Sequence, residues 1–346
     1  MNTFFFRLYT SSFKSWRRWT SGFALCHLTH VSSSRSPSVR LSRFRNTLSI
    51  FAIGWILFGT TSSPSLTAAE QVEPSPPPLK IVASFTVLAD MVKNVCGDLG
   101  EVTALVGPDS DAHVYEPKPS DARLIQEARV VFINGLGFEG WMTRLIEAAQ
   151  PQGPVVVATR GITPLPSSKT DITPDPHAWN SLGNALIYVA NIEETLCVCD
   201  PTHKDVYHAN AARYKEQIRS LKVWADQQLA SVPSERRHVV TIHDAFNYLG
   251  KDLGIIFHSP LGIDTKSEPS AKVIGQLIEL IRTTHAAIFI ENITNPHLLE
   301  QIAAEANALI GGKLYSDALS MDDIAPTFLQ MARHNISQLA DAMKQR

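Results

Sequence analysis

Short apolar runs alternate with segments of helical periodicity through the first half of the chain. Four runs rich in β-branched residues are typical of buried strands, and they cover residues 80–84, 102–106, 129–134 and 155–158. The segments between them have helical spacing and begin near Val87, Ser120 and Trp141. Strands that alternate with helices indicate a parallel sheet with helices on its faces. We therefore predict an α/β lobe over residues 79–200.

The middle of the chain is one long helical tract, residues 181–230, with a break where Asp200 precedes Pro201. Proline disfavours the helical conformation in the residue before it, so a new helix is expected near Lys204. Apolar residues keep a helical spacing from there to about Ala230, which at about 1.5 Å per residue gives roughly 40 Å. Residues 201–234 are therefore predicted to form a helix long enough to join two lobes.

A second alternating series follows this helix. Its predicted strands are residues 238–242, 255–258, 286–290 and 313–316. Its predicted helices are residues 245–252, 270–283, 296–308 and 323–344. We predict a second parallel α/β lobe over residues 235–346. Two lobes with an interface between them usually place a ligand in the cleft.

The N-terminus has a different pattern. Residues 48–59 form one apolar run of about twelve residues, which is shorter than the roughly twenty that a membrane-spanning helix needs. Arginines precede the run, and the small residues Thr67, Ala68 and Ala69 follow it. This arrangement is typical of a secretory signal, so residues 1–69 are predicted to be a leader and cleavable signal peptide. An uncleaved membrane anchor is the alternative.

Charge supports this division of the chain. The 346 residues carry 31 Lys and Arg against 33 Asp and Glu, a net charge of −2, yet no acidic residue precedes Glu70. The leader holds eight of the 31 basic residues and none of the acidic ones. Without it, 23 basic residues face 33 acidic ones, so the net charge of the remaining chain is −10. The 44% hydrophobic content excludes a disordered chain, and the charge argues against a nucleic-acid binder. We expect a soluble periplasmic protein, because Cys26 lacks the small residue that precedes a lipid-attachment cysteine.

Three cysteines remain after the leader, namely Cys96, Cys197 and Cys199. Their number is odd, so at least one is unpaired within the chain, and Cys96 has two candidate partners for a disulfide. Their spacing does not fit a zinc-ribbon pattern. We interpret them as structural residues.

Four residues with metal-binding side chains follow predicted strands. His113 and His177 lie in loops after strands of the first lobe, and His243 and Asp317 directly follow strands of the second. Ligands of open α/β sheets bind beyond the carboxyl ends of the strands. Three imidazoles and one carboxylate suit a transition metal such as Zn²⁺. We predict a metal site in the cleft between the lobes.

The remaining histidines are expected to be structural. Five of them fall on predicted helices or their edges, and these are His203, His208, His285, His297 and His334. His238 begins a predicted strand and is expected to be exposed. His258 ends a strand, so it is a further candidate for the cleft.

The chain resembles the bacterial ABC-transporter solute-binding proteins for zinc and manganese. The matching segments are LVGPDSDAHVYEP (105–117), NGLGFEGW (134–141), DPHAW (175–179), HDAFNY (243–248), EPSA (268–271) and LYSD (314–317). They occur in family order and cover nearly all of residues 79–346. The resemblance implies two α/β lobes around a rigid connecting helix, with the metal bound between them by His113, His177, His243 and Asp317. It also implies a membrane permease and a separate ATPase subunit as partners, no enzymatic activity, and a monomer.

The resemblance also bears on the metal. Manganese-type relatives tend to carry Glu at the third ligand position and zinc-type relatives His, and this chain has His243. We therefore expect Zn²⁺ as the transported ligand, with manganese or mixed binding as the alternative. Many zinc-type relatives carry a His-rich loop before the second ligand, whereas residues 163–174 contain no His.

Some sequence features are typical of other functions. The G-x-G-x-x-G segment at residues 135–140 resembles a dinucleotide fingerprint, but no acidic residue follows the next strand, so tight turns and packing by Glu139 and Trp141 are expected. A zinc-dependent hydrolase is less expected, because four protein ligands close the metal site. Asp244 and Glu116 are candidates to orient the imidazoles. An added adhesin role stays open.

Overall fold

The structure is a computed structural model, and it describes residues 77–167 and 173–345. The predicted leader and signal peptide, residues 1–69, lie outside the described residues. The described residues belong to one compact unit. Within them, no helix combines the length and apolar character needed to cross a membrane.

The first lobe is built on a four-stranded parallel sheet in the order β2-β1-β3-β4. Its strands are β1 (Leu79–Phe85), β2 (Gly100–Val106), β3 (Val130–Ile133) and β4 (Val155–Val157). Helices α1 (Thr86–Cys96), α2 (Pro119–Glu127) and α3 (Met142–Ala149) connect them. The central strands are apolar on both faces because helices cover both sides, as expected for a parallel sheet.

The second lobe repeats this topology, with the order β6-β5-β7-β8 and parallel pairing throughout. Its strands are β5 (His238–Val240), β6 (Ile256–His258), β7 (Ala287–Glu291) and β8 (Ile310–Leu314). Its helices are α6 (Asn247–Leu253), α7 (Ala271–Thr284), α8 (His297–Ala306) and α9 (Phe328–Lys344). The predicted fold class of two parallel α/β lobes with a long helix is confirmed, whereas the predicted lobe boundaries stay a prediction.

Two helices lie between the sheets in sequence, α4 (Leu182–Cys199) and α5 (Lys204–Leu229). The predicted break at Pro201 is confirmed, since a single 3₁₀ turn separates them there. The 26 residues of α5 bury a stripe with helical spacing, formed by Tyr207, Ala211, Tyr214, Ile218, Leu221, Ala225 and Leu229. This stripe packs on α1 and α4 of the first lobe and on α9 of the second, so α5 contacts both lobes.

The predicted boundaries of two strands in the second lobe are wrong. Strand β5 ends at Val240, so His243 lies on a loop rather than directly after the strand. Strand β8 begins earlier than predicted and ends at Leu314, which places Asp317 on a loop as well. It includes Gly312 at φ 149°, beside a shift in the register of its pairing with β7, and glycine there concealed the strand pattern.

Helix α9 begins at Phe328 rather than near residue 323. The side chain of Thr327 caps its N-terminus by accepting a hydrogen bond from the Gln330 backbone N–H. Pro326 precedes this cap, which favours an extended backbone just before it.

The open question about the cysteines is resolved, since Cys96, Cys197 and Cys199 are all free thiols. Cys96 lies buried at the end of α1, and burial raises the pKa of its thiol to about 11. A buried thiol with this pKa stays protonated and unreactive at neutral pH.

Arg237 holds the end of the long helix against the second lobe. Its guanidinium donates hydrogen bonds to the carbonyl oxygens of Leu229 (2.7 Å), Val232 (2.9 Å) and Leu253 (2.8 Å). Leu229 and Leu253 are the last residues of α5 and α6, where helices leave backbone acceptors without partners, and Val232 lies in the turn after α5. One planar side chain thus satisfies two helix ends.

We expect Arg237→Ala to lower the free energy of unfolding by about 2–4 kcal/mol, because several charge-assisted hydrogen bonds to partly buried carbonyls are lost. Arg236→Ala removes the same charge from the exposed neighbouring residue and is expected to change it by less than about 0.5 kcal/mol. Urea unfolding of the metal-free protein measures both values. Equal effects of the two substitutions would contradict the role given to Arg237.

Candidate metal centre

The four predicted metal ligands lie together between the two lobes. His113 follows β2, His177 follows β4, His243 follows β5 and Asp317 follows β8. All four loops leave the carboxyl ends of their strands, and one ligand atom from each residue lies within 4.8 Å of every other. His177, His243 and Asp317 are fully buried, whereas His113 keeps 7% of its surface exposed.

The spacing of the donor atoms matches a small metal ion. The His113 Nε2 lies 3.3 Å and the His243 Nε2 3.2 Å from Asp317 Oδ2, and the His177 Nε2 lies 3.7 Å from Asp317 Oδ1. The Nε2 atoms of His113 and His177 are 3.2 Å apart. A tetrahedral ion with bonds of about 2.0–2.1 Å separates its ligands by about 3.3 Å, so the cluster has the dimensions of such a site.

Asp175 orients His177. Its Oδ1 lies 2.8 Å from His177 Nδ1 and also accepts the His177 backbone N–H at 2.9 Å, while Asn247 Nδ2 donates to Oδ2 at 3.1 Å. A carboxylate at Nδ1 favours the tautomer with hydrogen on that nitrogen, which leaves the Nε2 lone pair free for a metal.

Glu291 stands in the same relation to His243. Its Oε2 lies 2.7 Å from His243 Nδ1, within hydrogen-bond distance although the two groups are not aligned for a hydrogen bond. Its Oε1 accepts the backbone N–H groups of Ile242 and His243, at 2.9 Å and 3.2 Å. Glu291 therefore holds the loop that carries His243 and places a negative charge beside its imidazole.

Sequence reasoning missed Asp175 and Glu291 in this role. It named Asp244, which instead accepts a hydrogen bond from Ser259 Oγ at 2.6 Å, and Glu116, which is exposed. The sequence position of Glu291 could have indicated this role, because Glu291 ends β7 at the same edge of the sheet as the ligand loops. Asp175 stands two residues before His177 within the DPHAW segment.

The glycine-rich segment is structural, as predicted. The buried Glu139 carboxylate accepts hydrogen bonds from the backbone N–H groups of Asn134 (2.6 Å) and Gly135 (3.1 Å). Gly135 has a φ of 83°, which favours glycine in this turn. Trp141 Nε1 donates to the Ala112 carbonyl at 2.8 Å, and this bond holds the loop that carries His113.

His258 does not reach the cleft. Its ring stacks on His238, with Nε2 3.1 Å from His238 Nδ1. Burial and the neighbouring His238 lower its pKa, which favours the neutral form. The two histidines form a separate pair on β5 and β6, and His238 is half-buried rather than exposed.

The electrostatics of the cluster favour a bound cation. Among the described residues, the buried side-chain atoms without a hydrogen-bond partner all belong to His243, Glu291, Ser316 and Asp317. Each such atom is costly to bury, and a coordinated metal ion supplies the partner that the imidazole nitrogen and the carboxylate oxygens of the cluster lack. The residues present therefore fit a divalent metal.

The cluster also shifts the pKa values of its members. Burial acts to lower the pKa of His243, but the carboxylates of Glu291 and Asp317 outweigh it, so this pKa is raised well above its usual range. Burial acts to raise the pKa of Asp317, but the nearby imidazoles of His243 and His177 hold it well below its usual range. Without a metal, these shifts favour a protonated His243 beside an ionised Asp317.

Comparison with known proteins agrees with this geometry. The family described as "ZnuA: Zinc-uptake complex component A periplasmic" matches residues 81–342. The chain belongs to this family. It is therefore a metal-binding receptor of an ABC transporter and not an enzyme, which removes the hydrolase alternative.

Relatives in the family carry the names of different metals. The chain is 31% identical to the iron-binding protein YfeA of Yersinia pestis, over 88% of this chain and 98% of that protein. It is 30% identical to the manganese-binding lipoprotein MntA of Halalkalibacterium halodurans, over 77% of this chain and 89% of that protein. The solved periplasmic zinc-binding protein TroA of Treponema pallidum is similar at 28% identity and a TM-score of 0.73, covering 78% and 99% of the two chains.

We expect Glu291→Gln to weaken metal binding about 10–100-fold, because the substitution keeps the shape but removes the charge beside His243 Nδ1. Asp90→Asn is the matched control, since it neutralises a half-buried carboxylate that accepts the Phe328 backbone N–H and does not contact the cluster histidines. Competition with a chelator of known affinity measures both variants. Equal affinities of the Gln variant and the unchanged protein would remove Glu291 from this role.

Metal binding is expected to release about one proton at neutral pH, because His243 carries a proton in the metal-free cluster and must lose it to bind a metal. Below the raised pKa of His243, each pH unit of acidification is then expected to cost about tenfold in apparent affinity. Calorimetric titration with Zn²⁺ in buffers of different ionisation enthalpy counts the released protons. A heat that is independent of the buffer would contradict this expectation.

Proposed function

We propose that the protein captures Zn²⁺ outside the cytoplasm and delivers it to a membrane permease that is driven by a separate ATPase subunit. His113 and His177 of the first lobe, with His243 and Asp317 of the second, are the proposed ligands. The observation that carries this proposal is the close approach of three imidazole nitrogens and one carboxylate, which lie within 4.8 Å of one another. Four protein donors leave no position for a reactive water, as suits an ion that is carried unchanged.

The choice of zinc rests on the donor set. Three nitrogen donors suit Zn²⁺, whereas Mn²⁺ prefers a larger number of oxygen donors, and only Asp317 offers oxygen within the cluster. Manganese is the alternative, because MntA is named for manganese and YfeA for iron. The name of TroA refers to zinc, which supports the same choice in a related fold.

The proposed location is the periplasm, reached through a signal peptide that is cleaved near Ala69. The periplasmic relative TroA supports this location, and the lipoprotein MntA supports a lipid-anchored form as the alternative. Fractionation of cells with detergent phase separation distinguishes the two forms. A monomer of residues 70–346 is the proposed working unit, with lobes at 79–200 and 235–346 joined by residues 201–234.

Titration of the metal-stripped protein tests the assignment. We expect one equivalent of Zn²⁺ to bind more tightly than Mn²⁺, and His243→Ala to weaken zinc binding by more than about 100-fold because a ligand is lost. His258→Ala is the control, since this histidine pairs with His238 outside the cluster. Tighter binding of Mn²⁺ would overturn the choice of zinc alone, whereas binding of neither metal would overturn the proposed function.

A further inference from the structure

His113 lies on the side of the cluster that is nearest to solvent. It is the one member of the cluster with exposed surface, whereas His177, His243 and Asp317 are covered by protein. His113 lies on the loop between β2 and α2, residues 107–118, here called the His113 loop. Movement of this loop therefore exposes the cluster to solvent with the least rearrangement of the buried core.

Asp109 ties the His113 loop to the second lobe. Its carboxylate accepts hydrogen bonds from Asn292 Nδ2 at 2.9 Å and from the Met321 backbone N–H at 3.0 Å. Its own backbone N–H donates to the Leu319 carbonyl at 2.9 Å. Asp109 has a φ of 51°, in the left-handed region that Asp adopts more readily than most residues.

Asp111 makes a second connection from the same loop. One carboxylate oxygen accepts the backbone N–H of His113 at 2.8 Å, and the other accepts a hydrogen bond from Thr265 Oγ1 in the second lobe. The position of His113 is thus coupled through one side chain to the opposite lobe.

Hydrogen bonds elsewhere between the lobes are buried or half-buried, and the half-buried ones include the bond that the Leu319 backbone N–H donates to Thr86 Oγ1 at 2.9 Å. Trp179 Nε1 donates to the Ser316 carbonyl at 2.9 Å, and Asn180 Nδ2 donates to the Ala245 carbonyl at 3.0 Å. Breaking them leaves polar groups without partners in the protein interior, which is costly. The bonds of Asp109 lie in solvent, where water replaces them at small net cost.

We propose that Asp109 and Asp111 form a latch that sets how fast the metal leaves. When their bonds to Asn292, Met321 and Thr265 break, the His113 loop lifts away while the buried contacts keep the rest of the two lobes together. Asp109 and Asp111 are positioning residues, since they reach the ion only through His113. This inference rests on the proposed metal site, and it adds a route and a rate-setting contact that the site itself does not specify.

Stopped-flow release of Zn²⁺ from the loaded protein into excess chelator tests the latch. We expect Asp109→Ala to speed release about tenfold, the change that corresponds to the loss of one or two hydrogen bonds. The association rate and the melting temperature of the metal-free protein are expected to stay within about twofold and about 2 °C of the unchanged protein. Asn292→Ala is expected to speed release less than Asp109→Ala does. Because both substitutions remove the bond between Asn292 and Asp109, the double variant is expected to release zinc little faster than Asp109→Ala alone.

Glu116→Ala is the matched control, because it removes one acidic charge from an exposed position on the same loop. We expect its release rate to stay within about twofold of the unchanged protein. Release from Asp109→Ala at the unchanged rate, or equal acceleration in Glu116→Ala, overturns the latch while leaving the metal site intact. If the unchanged protein does not retain one equivalent of zinc, the proposed function fails first and the latch with it.

Discussion

The structure depends on holding one donor atom from each of three imidazoles and a carboxylate within 4.8 Å of one another in the protein interior, contributed by two separate lobes. Such a cluster is expensive to bury, because its polar atoms lose water and its charges lie in a medium of low dielectric. Neighbouring polar groups in fixed positions offset this cost. Asp175 and Glu291 hold two of the imidazoles, and backbone N–H groups hold both of these carboxylates. Hydrogen bonds within the protein therefore contribute to the geometry of the loops that carry these ligands.

Charge explains why the cluster selects a cation. Asp317, Asp175 and Glu291 place three carboxylates around histidines that are neutral when they bind a metal. A divalent ion neutralises most of this charge, whereas a proton on His243 neutralises only part of it. The metal ion and the proton thus compete for the same nitrogen of His243, and the pH of the solution sets the balance between them. The same carboxylates that raise the pKa of His243 also strengthen its attraction for a metal ion.

Much of the fold, and the grouping of His113, His177, His243 and Asp317 in one cluster, could be predicted from the sequence. Alternating apolar runs located both sheets, and the rule that ligands collect at the carboxyl ends of strands located the cluster. The prediction failed where a residue's role depends on its neighbours in space. Glu291 ends a strand, yet only the packing of β7 beside β5 brings it to His243. Gly312 concealed the true extent of β8, and nothing in the sequence around Asp109 shows that its partners lie some two hundred residues away.

The loop before the second ligand has a closed base. Pro166 pairs with Pro174, the Ser167 backbone N–H donates to the Thr173 carbonyl at 2.8 Å, and Tyr248 joins this base to the Asp175 carbonyl, also at 2.8 Å. These bonds hold Ser167 and Thr173 together without using any residue of the metal-binding cluster. A protein engineer can therefore choose the position between Ser167 and Thr173 as a graft point for a fluorescent reporter domain, because the bonds from Asp175 that hold His177 lie outside it.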